Sequence, residues 1–418
     1  MVVIMASMNA TIPTQPDHTK HARQIVIAGI VALAIAMGIG RFAFTPLMPL
    51  MLRDGTIDAV SGTEWAAANY VGYLVGALTA SWFSANPQRG LHLGLLGVAL
   101  VTFGAAWATH DVHLYGLLLR FAAGTCSAWV LVCASSCCLQ LLEQMKTLSQ
   151  SGRIYTGVGC GIAIAGTIAW LGGYQTAQAI WVELGFIALV GAIFVQRSMP
   201  AYSSSQSRVV ASTLPKAQAT SLKGHTALIV CYGVMGFGYI IPATYLPTLA
   251  KQLVPDPLIF GLTWPLFGLA AGLSVLAAAV CLASWSRRAV WASAQGIMAL
   301  APLLLLFHTE LWALVIAAIL VGGTFMVATM AGLQLAREQM PENPTKLLSR
   351  MTAGFAVGQI AGPVLIWMIG ENKFMGWDAL DWAHAISACL LAATTAWLFS
   401  DVKKKHGRKA QEPLNTKV

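Results

Sequence analysis

Gly38-Ile39-Gly40-Arg41-Phe42-Ala43-Phe44-Thr45-Pro46-Leu47-Met48-Pro49-Leu50 closes an apolar run that opens near Ile25, and Arg41 is the sole charge between Arg23 and Arg53. A run of that length crosses a hydrocarbon core of ~30 Å as one helix. A simple anchor, however, needs neither paired glycines, nor prolines, nor a guanidinium. Pro46 and Pro49 each delete a backbone donor and leave a carbonyl one turn earlier without its partner, and Gly38 and Gly40 loosen the helix just before them. An arginine at membrane depth costs roughly 3 kcal/mol or more unless it meets water, a partner or a ligand. A weakened helix and a costly charge in one place mark a working site inside a membrane.

The whole chain agrees with that reading. Of 418 residues, 57% are hydrophobic and only 10% charged, and the mean hydropathy is +0.68. Soluble domains carry about 25% charged residues, so this composition belongs to a polytopic membrane protein. Its eight cysteines all fall in apolar segments with no CxxC pair and no zinc spacing, which predicts buried hydrophobes and no metal. No phosphate-binding loop, HExxH or GxSxG is present, so no enzyme chemistry and no cofactor is expected. Met1 to Gln24 is polar and is followed by too long an apolar run for a cleaved signal.

Twelve apolar segments are legible between residues 25 and 400. They divide into a cytoplasmic tail (1–24), a first six-helix half (25–196), a Ser-, Ala- and Gln-rich linker (197–224), a second half (225–400) and a basic tail (401–418). With the first tail inside, 20 of the 25 lysines and arginines lie on the same side, and only Arg53, Lys251 and Lys373 lie opposite. The positive-inside rule then puts both termini in the cytoplasm, and the formal charge of +9 becomes a topology signal rather than a nucleic-acid footprint.

The halves repeat each other. Gly38, Gly40 and Pro49 recur as Gly236, Gly238 and Pro247, and Gly72 and Gly76 as Gly268 and Gly272. Arg153, Gly157, Gly161, Trp170 and Gly173 recur at one constant offset as Arg350, Gly354, Gly358, Trp367 and Gly370. A duplicated six-helix unit about a long linker is the organisation of a transporter with parallel repeats.

On these motifs the chain resembles the major facilitator superfamily, and within it the YbfB/YjiJ-type branch. The resemblance rests on Gly38 to Pro49, on Asn69-Tyr70-Val71-Gly72-Tyr73-Leu74-Val75-Gly76, and on Gly236-Phe237-Gly238-Tyr239-Ile240-Ile241-Pro242-Ala243-Thr244-Tyr245-Leu246-Pro247. Arg120 and Gly124 fit the superfamily's fourth-helix Arg-x-x-x-Gly pattern. The basic glycine-rich loop between helices two and three is reduced here to Ser84-Ala85-Asn86-Pro87-Gln88-Arg89-Gly90. The resemblance implies an all-α fold of twelve transmembrane helices in two pseudosymmetric bundles, acting as a monomer in the bacterial inner membrane by alternating access.

Candidate site residues follow from their faces. Arg41 and Thr45 share one face of helix one, Asn69 and Tyr73 one face of helix two, and Arg120 sits near mid-membrane in helix four. Tyr239 and Tyr245 are the matching groups in helix seven, with Gln359 in helix eleven. Arg41 would anchor an anionic group; the bland alternative is an arginine paired with a backbone carbonyl or snorkelling toward Asp54 or Asp58. Arg120 lines the cavity or is held by helix carbonyls, and both stand open here. Gly38, Gly40, Pro46, Pro49, Gly161, Gly236, Gly238, Pro242, Pro247 and Gly358 are expected to serve as hinge or close-packing positions. Glu183 is the single carboxylate inside a span and so the candidate proton site, with His384 the buried histidine beside it in interest. The reading is a secondary transporter of a small organic solute, an anion by its arginines, with a coupling proton as a further partner. Multidrug-type efflux of amphipathic compounds and a non-transporting sensor are the alternatives.

Overall fold

The computed structural model describes residues 15–200, 225–253, 261–370 and 373–411. The expected linker falls almost wholly outside these ranges. Helices account for nearly all of the described residues, with one isolated bridge between Phe374 and Trp377.

Helix one comes in three pieces: α1 (Gln15–Leu33), a π-helical stretch (Ala34–Phe42) and α2 (Phe44–Arg53). Then follow α3 (Ala59–Thr79), α4 (Pro87–Ala105), α5 (His113–Gln144), α6 (Thr156–Leu171) and α7 (Ala177–Ser198). Past the linker come α8 (Thr226–Leu253), α9 (Thr263–Cys281), α10 (Arg287–Phe307), α11 (Leu311–Gln339), α12 (Pro344–Ile369) and α13 (Ala379–Gln411). The caps are those the sequence offers. Asp58 accepts from the Ser61 amide at 2.7 Å, which pulls its carboxyl below the usual carboxylate range. Thr176 and Ser286 cap α7 and α10 in the same way.

Among the described residues, ten helical stretches are long and apolar enough to cross a membrane. α3 and α4, of 21 and 19 residues, are not among them, because Glu64, Asn69, Tyr70 and Tyr73 in one and Arg89 and His92 in the other dilute their apolarity. The expected tails also change. α1 begins ten residues before Ile25, and α13 continues as helix to Gln411, through much of the basic tail.

Backbone contact through glycine organises the packing. A methyl on Gly38 would strike the backbone of Gly161, one on Gly161 that of Ala34, and one on Gly157 that of Ile30. The second repeat does the same: Gly236 lies on Phe355, Gly358 on Gly233 and Phe237, and Gly354 on Ile229. Small residues set how closely membrane helices approach, so the duplicated glycines perform one task twice. Gly40 and Gly238 instead face side chains, of Val98 and Ser127 and of Leu391. The Gly-x-x-x-Gly pairs diverge. Gly72 and Gly76 pack on Phe121 and Thr125 of α5, whereas Gly268 and Gly272 pack on Gly159, Cys160 and Ala163 of α6.

The expected pair of broken helices is found once. Helix one changes to i→i+5 geometry across Gly38 and Gly40 and restarts after Ala43, whereas α8 is α-helical throughout despite Pro242 and Pro247. Nine π-helical residues in succession are rare and recur at functional sites. Pro242 is buried; the side chains of Tyr245 and Pro247 lie outside the described residues.

Candidate functional site

In an i→i+5 register the carbonyl of Arg41 looks toward the nitrogen of Pro46, which has no hydrogen to give. Arg120 on α5 donates there instead. Its Nη2 donates to the Arg41 carbonyl at 3.2 Å and its Nη1 to the Gly40 carbonyl at 3.3 Å. Ser127, two turns on, donates to the Ala36 carbonyl at 2.7 Å. The guanidinium of Arg120 also sits 4.5 Å from the ring centre of Phe44. Both readings of Arg120 therefore hold together: it lines the cavity, and helix carbonyls occupy two of its nitrogens.

Arg41 is 3% exposed, and its guanidinium carbon lies 3.6 Å from the centre of the Tyr73 ring. Its Nη2 donates to the side-chain oxygen of Gln359 on α12. Among the described residues its Nε and Nη1 have no hydrogen-bond partner, nor has the Nε2 of Gln359. Snorkelling to Asp54 is not what the geometry shows, since Asp54 pairs with Arg53 at 2.7 Å and accepts from the Ala177 amide at 2.6 Å. Among the described residues no carboxylate pairs with Arg41 or Arg120. Two guanidinia thus lie deep in an apolar bundle without a counter-charge, a costly arrangement unless an anion completes it.

Both arginines line a cavity of about 110 Å³. Of the residues singled out in the sequence, Thr45, Asn69 and Tyr239 line it with them; Asn69 also donates to the Arg120 carbonyl at 3.0 Å. Tyr73 and Gln359 touch Arg41 from outside the cavity lining. Phe42, Phe44, Tyr70 and Trp264 complete the walls, with Met48, Ala66, Ile240, Ala243 and Thr244. Sequence reasoning missed Tyr70 and Phe44 as site residues. Tyr70 stands three positions before Tyr73, a spacing that could have found it. On the far wall an aromatic series runs from Trp264 to Phe267 to Phe325 to Tyr239, with successive ring centres 4.9–5.4 Å apart.

Glu183 does not come to this cavity. It is exposed on α7, on the same outer face as Phe186, Ile187 and Val190, because the inward face of α7 is the one carrying Ile180, Leu184 and Ala188. His384 is buried on α13, also away from the cavity lining.

Toward the C-terminal ends of α5 and α11, polar contacts tie the two halves of the chain. Arg337 pairs with Glu143, and Gln334 donates to Ser151 at 2.9 Å. Ser136 and Thr345 share a hydrogen bond of 2.8 Å, and Ser349 donates to the Ala77 carbonyl. Arg41 with Gln359 is the member of this seam closest to the cavity.

The family described as "Uncharacterised MFS-type transporter YbfB" matches residues 33–398. Among solved structures the chain is similar to the human organic anion transporter MFSD10 (TETRAN), with a TM-score of 0.67 at 14% identity, over 90% of this chain and 99% of that one. At that identity the likeness is one of fold. No curated protein matches the chain.

Proposed function

The chain belongs to the YbfB-type family of major facilitator superfamily transporters, and on that premise we propose that it is a secondary transporter moving a small organic anion by alternating access. In this reading two six-helix halves, 25–196 and 225–400, rock about the cavity, α3 and α4 complete the twelve spans, and both termini lie in the cytoplasm of a bacterium's inner membrane. The protein acts as a monomer. The observation that carries the substrate class is the pair of buried guanidinia in one small aromatic-walled cavity without a carboxylate beside them. In low dielectric a guanidinium attracts a carboxylate much more strongly than it does in water, and its planar fork fixes the ligand's orientation. The name of the solved neighbour, an organic anion transporter, is consistent with this reading.

Multidrug-type efflux draws on the aromatic walls, but an amphipathic cation would meet two positive charges at the site. A static sensor has no use for a π-helical interruption in helix one. Reconstitution into proteoliposomes tests the proposal: carboxylates against hydrophobic cations, with and without a pH gradient. Uptake of a carboxylate and not of the cations supports it, and acceleration by an inward proton gradient adds a coupling proton. Uptake of cations alone refutes it.

A further inference from the structure

Gln359 is fully buried on α12, and its oxygen accepts a hydrogen bond from the Arg41 side chain, 318 positions away. It does not line the cavity, so Arg41 touches the cavity on one side and Gln359 on the other. We infer that Gln359 is a latch that holds the empty carrier closed through Arg41, and that an anion arriving in the cavity releases it. The inference rests on the anion-carrier reading above.

Arg41 hangs from the π-helical stretch of the first half and Gln359 from the second. The other seam contacts lie nearer the surface or end in hydroxyls and backbone; Glu143, for example, is half-exposed, so water can replace its partner when the seam parts. Arg41 has no such recourse. Withdrawal of α12 takes the Gln359 oxygen away and leaves the guanidinium only its aromatic neighbours Phe42, Tyr70 and Tyr73 at membrane depth, and a buried charged donor stripped of its acceptor is among the costlier losses a protein can suffer. An anion bound at Nε and Nη1 neutralises the guanidinium and makes the loss of the neutral amide oxygen affordable. The empty carrier therefore stays shut on this side while the loaded one opens. Tyr73 keeps the guanidinium flat throughout, so that the same plane serves Gln359 and the ligand in turn.

The test uses the full-length protein in nanodiscs, with Cys281 and Cys389 replaced by Ala and spin labels on Ala85→Cys and Asn343→Cys, exposed positions in the α3–α4 and α11–α12 connections. The empty wild type is expected to give one short distance. Gln359→Leu, similar in volume but without the acceptor, is expected to add a longer distance and raise the open-to-closed ratio about tenfold, the factor for losing one charge-assisted hydrogen bond. Gln359→Glu, which replaces the amide by a carboxylate, is expected to keep the short distance and to make it insensitive to benzoate. Opposite responses from two variants at one position separate a latch from mere misfolding. A Gln359→Leu distance distribution identical to the wild type overturns the latch. In wild type, millimolar benzoate, acetate or succinate is expected to lengthen the distance as Gln359→Leu does. If Gln359→Leu opens the seam while no carboxylate does, the latch stands and the anion reading falls.

Discussion

At the scale of single residues, two arginines of the same type are employed differently. Arg120 gives two nitrogens to the Gly40 and Arg41 carbonyls, so it supports the π-helical stretch as well as the cavity. Arg120→Leu should lower the thermal unfolding midpoint in detergent, at a cost of about 3 kcal/mol for two buried acceptors left bare. An unchanged midpoint would mean that those carbonyls find other donors. Arg41 keeps two nitrogens unpartnered. Arg41→Lys should leave the midpoint nearly where it is yet weaken carboxylate binding roughly tenfold or more, since a point charge does not reproduce the planar fork; titration of the purified protein with benzoate reads this directly. Helix periodicity made Arg41, Thr45, Asn69 and Tyr239 legible, because positions three and four apart share a face. It could not show what stands opposite. That Gln359 meets Arg41, or that Tyr73 lies under it, depends on how α3 and α12 are placed in space, and no spacing along the chain encodes that.

Among the elements, the first helix and the glycine contacts decide the architecture. Prolines and glycines announced that helix one is weakened, and the structure gives the weakness a form: nine residues of π-helix followed by a restart at Phe44. The same residue types in α8 produce no break in the described backbone. Local sequence sets the propensity to break; whether neighbours such as Arg120 and Ser127 accept the freed carbonyls decides the outcome, and α8 has no arginine counterpart described there. The glycine contacts yield a paired test. Gly161→Leu or Gly358→Leu forces a side chain into the backbone of the neighbouring helix and should abolish folded, membrane-inserted protein. Gly323 on α11 has open space around its would-be Cβ, so Gly323→Ala should be tolerated and should stabilise by up to about 1 kcal/mol from helix propensity. Size-exclusion profiles after expression separate the two; intact Gly161→Leu protein would show that these helices can part.

For the molecule as a whole, the charge asymmetry of the loops predicts orientation. Reporter fusions after residues 210 and 405 should report cytoplasm and a fusion near Asp58 the outer side; a cytoplasmic Asp58 contradicts the twelve-span reading. Duplication was legible because it leaves a long-range mark in the sequence, the repeated glycines, which make matching backbone contacts in both halves. The seam of contacts between Glu143 and Arg337, Ser136 and Thr345, and Arg41 and Gln359 leaves no such mark, since each pair joins residues from opposite ends of the chain. Everything proposed about substrate turns on Arg41 meeting an anion in that cavity. The most direct measurement is uptake of a labelled carboxylate into proteoliposomes holding equal amounts of folded wild-type and Arg41→Ala protein. The account predicts carboxylate uptake by the wild type and its near-complete loss in Arg41→Ala. Normal uptake by Arg41→Ala would make Arg41 a packing residue and contradict the account.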